Sequence, residues 1–379
     1  MTPAIMPRSW RRDASPAFRA ALAAFLFVAA AMAAPARAQE EPYYFYHGRE
    51  YGSETIVNPL SLVINSGFGI LQYSNRSRNV FEVRYETGWK NVTYNLSHPF
   101  RAINDYGWGE FLGNEFYPKD LTKKNAQYWP NYQNHLIGGG MNYVEIAEWY
   151  RFHGVANAKL LAIATMTIDH LLNEVVENNT YVGSNVDPIA DLYFFDPMGI
   201  VLFSINGVPR FFAETLNLSS WPTQPTFNPT SRTLENHGVN YSIKWGLPFS
   251  ERVSLFYYWG LTGLVGFSYK TDGMDNLSLG AGLRAKELVE TGDQTNGRKL
   301  TADLTWNVGL FFDRNNSLLA SALFSGISDY TVHLNLYPGV IRVGPLSPGF
   351  FCAVGRDGRV TSGVSLSVIP VGLAARIYR

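Results

Sequence analysis

Residues 299–313, KLTADLTWNVGLFFD, place Leu300, Ala302, Leu304, Trp306, Val308, Leu310 and Phe312 at every second position, with Lys299, Thr301, Asp303, Thr305, Asn307 and Gly309 between them. Side chains on a β-strand alternate sides, so this segment has one apolar face and one polar face. It is longer than the usual strand of a soluble sheet, and a tilted strand that crosses a bilayer needs about 9–11 residues. The pattern predicts a strand with one side toward lipid and the other toward a polar lumen.

The rest of the C-terminal part repeats it. Val239, Tyr241, Ile243, Trp245 and Leu247 alternate with polar or small residues, as do Leu277, Leu279, Ala281, Leu283 and Ala285, and Tyr330, Val332, Leu334 and Leu336. Residues 252–270 form a longer, noisier series. Asp357-Gly358 has the two-residue hairpin chemistry that supplies positive φ, and Asp272-Gly273 and Asn315-Asn316 are further turn signals. Aromatic residues gather toward strand ends, where interfacial girdles lie. Residues 60–73, 81–87, 92–96 and 211–218 are read as strands as well. The fold class expected is an all-β transmembrane barrel of about 10–14 antiparallel strands. The competing expectation is a soluble β-sandwich, and Arg379 after Tyr378 departs from the aromatic terminus usual in a barrel's closing strand.

The N-terminus agrees with export. Arg8, Arg11, Arg12 and Arg19 precede an apolar core from Ala20 to Ala33, and Ala36-Arg37-Ala38 offers a cleavage site, so residues 1–38 read as a signal peptide. The whole chain balances 31 basic against 31 acidic residues; removing the signal takes five arginines and one aspartate and leaves the mature part weakly acidic. Nucleic acid is therefore not an expected partner. Cys352 is the one cysteine, so no internal disulfide can form. The longest apolar run of the mature part, residues 155–168, contains Asn157 and Lys159 and falls short of the ~20 residues that a membrane helix needs. The expected location is the outer membrane. The expected partners are outer-membrane lipid and the barrel-assembly machinery; no cofactor is called for, and the oligomeric state is left open.

The middle of the chain changes period. Residues 142–152 and 156–177 have helical spacing, with Leu161, Ile168, Leu172 and Val175 in one stripe and Gly154 between the two segments. The expected organisation is thus signal peptide 1–38, barrel strands 39–130, a helical hairpin insert 131–205 that fills or caps the lumen, and barrel strands 206–379. This insert holds most of the chemistry-bearing residues. His135 precedes Gly138-Gly139-Gly140, Glu145 and Glu148 follow, and His170, Glu174 and Glu177 share one helix face by their i, i+4, i+7 spacing. Asp187, Asp191 and Asp196 come next. Histidines and carboxylates on facing helices can bind a metal or divide acid and base roles; alternatively they can simply hydrogen-bond to strand residues such as Arg284 and Lys286.

The order of His135, the glycines, two helices with Asn173-Glu174 near the end of the second, then Gly183, Asp191 and Asp196-Pro197-Met198-Gly199 resembles the VanZ-like proteins. It is also similar to their small periplasmic lipoprotein relatives and to outer-membrane proteins that carry such a segment. The resemblance covers residues 131–203 and departs at Asn131, where the pattern has an acid, and at Asp196, which stands for an asparagine with one extra residue of spacing. Barrel lipid hydrolases are similar to one another in pairing His and Ser on one strand face. His237 and Ser242, five residues apart, fall on opposite faces of a single strand. The function expected first is envelope maintenance or gated passage of small molecules or lipid, with the helices occluding a lumen. The alternative is an envelope-lipid or cell-wall modifying enzyme with His135, His170, Glu174 and Asp191 as catalytic residues.

Overall fold

Proline after a polar residue starts four helices of the first half. In the computed structural model, which describes residues 42–117, 132–271, 273–291, 299–367 and 369–377, Asn58 caps α1 (Pro59–Gly67) by accepting a bond from the Ser61 amide at 2.9 Å. Proline fits here because its ring presets φ and the missing N–H would have no partner in the first turn. His98-Pro99 likewise divides α2 (Tyr85–Ser97) from α3 (Pro99–Tyr106), which leads into α4 (Trp108–Phe111). After the π-helical stretch Tyr132–Gly139 come α5 (Gly140–Phe152) and α6 (Ala158–Glu177), joined through Gly154 at a positive φ. Then follow α7 (Asp187–Ala190), the π-helical turn Asp191–Phe195, α8 (Asp196–Ser204), α9 (Val208–Arg210) and a last π-helical turn, Phe211–Thr215.

Residues 60–73, 81–87, 92–96 and 211–218 are therefore not strands, and the helical part runs from Ser53 to Thr215 rather than from 131 to 205. Their period-two runs span three or four positions, too few to outweigh the Asn-Pro and His-Pro helix starts beside them. The hairpin of α5 and α6 is present where expected, but its stripe is not. Ile168 is exposed, whereas Asp169, His170 and Glu174 are buried on the same face as Ala162, Ile163 and Met166. The predicted signal peptide, Asn131, Asp272 and the last two residues lie outside the described residues.

Among the described residues, thirteen strands form one sheet: β1 (Ser219–Ser220), β2 (Thr226–Asn228), β3 (Thr233–Glu235), β4 (Tyr241–Leu247), β5 (Ser250–Trp259), β6 (Thr262–Lys270), β7 (Asp275–Thr291), β8 (Lys299–Arg314), β9 (Ser317–Ser325), β10 (Val332–Leu336), β11 (Pro348–Val354), β12 (Val360–Leu366) and β13 (Ile369–Ile377). The order is β1-β4-β5-β6-β7-β8-β9-β10-β11-β12-β13-β2-β3, antiparallel except between β13 and β2. The end strands β1 and β3 do not pair, so the sheet is open and the expected closed barrel is corrected. The reason is local: β1, β2 and β3 are two or three residues long, too short for a closing ladder. These edges are covered instead. The Leu234 amide donates to the Arg78 carbonyl, and Asn79 bridges Thr233. Among the described residues the helices therefore lie against an open sheet rather than inside a closed barrel.

Register lines up whole rows across ten strands. One row runs Trp245, Leu255, Phe267, Leu279, Leu310, Ala322, Leu334, Cys352, Ser362, Ala375. The next runs Gly246, Ser254, Ser268, Ser278, Phe311, Ser321, Asn335, Phe351, Gly363, Ala374. The apolar row is bare at Phe267 (60%) and Leu279 (52%), whereas Ser268 and Ser278 of the serine-rich row are buried. This is the reverse of a sheet that faces water. The covered face is filled by an aromatic cluster, Trp221, Phe256, Tyr258, Phe311 and Tyr337, and by paired polar groups. Ser278 donates to Ser268 at 2.8 Å, Lys244 meets Asp313 at 2.6 Å, and fully buried Glu235 accepts from Arg376, Tyr330 and Arg78. Breaking one side of a buried pair strands the other charge at about 3–5 kcal/mol, whereas replacing both by apolar groups is often neutral. Lys244→Met should therefore lower the denaturation midpoint more than Lys244→Met with Asp313→Leu; equal losses in denaturant unfolding would contradict the pairing.

Candidate active site

Two close backbone approaches assemble the polar centre of the helical part. A Cβ on Gly199 of α8 would lie 2.9 Å from the His135 carbonyl oxygen and 2.8 Å from that of Leu136. The glycine therefore lets α8 rest directly on the stretch that carries His135. Gly139 likewise leaves room for the His170 ring, whose Cε1 would stand 3.3 Å from an added Cβ. The run of glycines after His135 is thus a packing device.

Asp196, the first residue of α8, sits between the two histidines. His135 Nδ1 is 2.8 Å from Asp196 Oδ1, and His170 Nδ1 lies against Asp196 Oδ2. The two rings meet edge to face, 5.6 Å between centroids. His135 Nε2 then faces Asp191 Oδ2 at 3.3 Å. One carboxylate oxygen each of Glu174, Asp187 and Asp191 fall within 4.8 Å of one another, as do a ring nitrogen each of His135 and His170 and an oxygen of Asp196. The four residues expected from the sequence, His135, His170, Glu174 and Asp191, are therefore brought to one place. None of them is hydrogen-bonded to Arg284 or Lys286; Lys286 pairs with Glu287 and Asp303.

A relay of amides holds the acidic half. Asn178 donates to Glu174 Oε2 at 2.9 Å, Asn185 donates to Asn178 Oδ1 at 2.6 Å, and the Asn185 amide donates to Asn95 Oδ1 of α2 at 2.8 Å. Asp196 and Asp187 complete the centre, although the sequence reading left both outside its catalytic set. The available signal was their position: each is an aspartate directly before proline at a helix start. Glu148 has another use. Its carboxylate accepts the amides of Tyr44, Phe45 and Tyr46 and so fastens the chain's first described segment to α5. The centre opens on a cavity of about 230 Å³ between helices and sheet, lined by Ser66, His135, His170, Glu177, Asp187, Asp191 and Tyr241, among others.

The charges divide into two kinds. Burial opposes ionisation of Asp196, but the two histidines outweigh it and bring its pKa down to about 2. Burial also works against the His135 imidazolium, yet Asp196 and then Glu174 and Asp187 hold it up at about 9. Glu174 and Asp191 are pushed well up, by burial first and by neighbouring carboxylates second. The same causes raise Glu177 to about 8, and burial raises Asp169 to about 7 against the pull of His170. Groups with pKa values pushed apart in one cavity supply an acid and a base at the same pH.

No protein-family model, curated protein or solved structure matches this chain.

The pH dependence has a definite sign. Raised carboxylates stabilise the fold only while protonated, so their contribution is lost as pH climbs from the unfolded values through about 7 to 8. The raised His135 contributes fully below its unfolded value and is lost through about 9. Asp196 contributes above its unfolded value and is lost as pH falls toward about 2. Thermal unfolding of chelator-treated protein should show greatest stability near pH 5, with a fall on the alkaline side; a melting temperature that rises from pH 6 to pH 9 would contradict this.

Proposed function

We propose that the chain is a hydrolase of the cell envelope that acts on a lipid-borne ester or phosphodiester. The observation that carries the reading is the meeting of His135, His170, Glu174 and Asp191 around Asp196 beside a cavity. Their arrangement fits water activation. Asp196 holds both histidines, and His170, which lines the cavity, donates the proton to the leaving oxygen while His135 is held with its Nε2 toward the acids. Glu177 lines the same cavity and, with its pKa lifted to about 8, is matched to taking a proton from water near neutral pH. A nucleophilic serine in hydrogen-bonding contact with either histidine is absent among the described residues, which favours direct attack by water.

The bare apolar face of the sheet supports lipid as the surroundings and the outer membrane as the location. Each large apolar side chain moved out of water contributes about 1.5–3 kcal/mol. Val265, Phe267, Leu277, Leu279, Trp306 and Leu310 on β6 to β8 alone sum to a good part of the roughly 5–15 kcal/mol by which a folded domain is stable. Such a face covered by water would be an aggregation surface. Covered by acyl chains, it places the cavity of the helical layer beside a lipid substrate.

The test uses the full chain in vesicles of phosphatidylethanolamine and phosphatidylglycerol, with released fatty acid and headgroup read by mass spectrometry. Wild type should cleave. His135→Asn, still folded by circular dichroism, should lose about 10²- to 10⁴-fold in rate. Cleavage by His135→Asn at the wild-type rate, or none by wild type above vesicles alone, contradicts the reading.

A further inference from the structure

We propose that the centre holds one first-row divalent cation, ligated by Glu174, Asp187, Asp191 and the Nε2 atom of His135. The inference rests on the hydrolase reading only in locating the ion at that site; the binding itself does not require activity.

The first observation is a shortage of partners. Asp191 is only 5% exposed, its Oδ2 faces His135 Nε2, and its Oδ1 has no hydrogen-bond partner. A buried carboxylate oxygen without a partner costs about 1–3 kcal/mol or more. Here the cost falls on a residue whose donor atom lies within 4.8 Å of those of two other acids. Three carboxylates this close cannot all be ionised unless a positive charge joins them.

The second observation is the orientation of His135. Its Nδ1 is tied to Asp196 Oδ1 at 2.8 Å, which keeps a proton on Nδ1 and makes Nε2 the atom that gives up its proton and ligates when a cation binds. A carboxylate on the far nitrogen of a ligating histidine is the usual arrangement around protein-bound metals, where it orients the ring and strengthens the ligand. Asp196 is thus a positioning residue, shared with His170. Asn178 does the same for Glu174, since it takes one carboxylate oxygen and leaves the other for the ion. The donor set of one imidazole and three carboxylates suits Mn²⁺, Fe²⁺ or Zn²⁺ better than Cu⁺, which prefers sulfur. A cation here would also lower the pKa of water bound to it, the chemistry that hydrolysis needs.

The probe is Mn²⁺. The full chain in detergent is stripped with EDTA, dialysed and titrated with Mn²⁺, with free ion read by electron paramagnetic resonance and unfolding followed in parallel. One ion per chain should bind, and saturation should raise the melting temperature by about 5 °C. Asp191→Asn should weaken Mn²⁺ at least about 10- to 100-fold and yet melt higher than wild type in EDTA, because an amide there has no charge to suppress among the three crowded acids. That opposite movement separates loss of a ligand from loss of the fold. Glu214→Gln, a surface change paired only with Arg210, should leave binding unchanged. Absence of saturable binding, or an Asp191→Asn chain that binds like wild type, overturns the proposal. Mn²⁺ binding without lipid cleavage upholds the site and sinks the hydrolase; lipid cleavage without saturable Mn²⁺ binding upholds the hydrolase and sinks the site.

Discussion

A strand has only two faces, and in β4 to β13 the face turned toward the chain's own interior is the one that carries serine, asparagine, lysine and aspartate. Every other feature of the molecule answers to that constraint. Polar groups removed from water need partners, so the covered face is a network: Ser278 with Ser268, Lys244 with Asp313, Glu235 with two arginines and a tyrosine. Large apolar side chains are left on the opposite face, where packing within the chain cannot cover them.

The helical layer obeys the same inversion on a smaller scale. α6 turns Ile168 outward and buries Asp169, His170 and Glu174. Burial of four or more ionisable groups in one place is expensive unless they satisfy one another, and these do so unevenly. The histidines and Asp196 pair with one another, whereas Glu174, Asp187 and Asp191 crowd three acids together, and Glu174 and Asp191 resist ionisation there. A structure that only needed a packed core would place leucines here. The crowding distinguishes this cluster from an ion pair such as Lys244–Asp313, in which one charge meets one charge.

Much of the sheet was legible in the sequence because a two-residue period held over many positions, as in β7 and β8, is hard to produce any other way. Asn315 and Asn316, both at positive φ, and Gly358 lie at the turns that were expected there. Closure was not legible: it depends on whether the last long strand finds a long partner, and the available stretch, Ser219–Asn228, is cut into β1 and β2 around Pro222 and Pro225. The N-terminal helices were missed because short alternations such as Phe81, Val83 and Tyr85 fit either period, while the deciding signals were single prolines. In the site, spacing placed His170 and Glu174 on one helix face. Nothing in the sequence could show that Gly199 lets α8 descend far enough for Asp196 to reach both histidines.

The account depends most on the direction in which the sheet faces, and nitroxide scanning along β7 tests it directly. Single cysteines at positions 276 to 281, in a chain whose Cys352 has been replaced, would be labelled and reconstituted in vesicles, with oxygen and a water-soluble nickel chelate as relaxation agents. The account predicts a two-residue alternation, with positions 277, 279 and 281 open to oxygen in the bilayer and closed to nickel, and positions 276, 278 and 280 shielded from oxygen. Nickel accessibility at 277, 279 and 281, in protein that floats free of the vesicles, would contradict it.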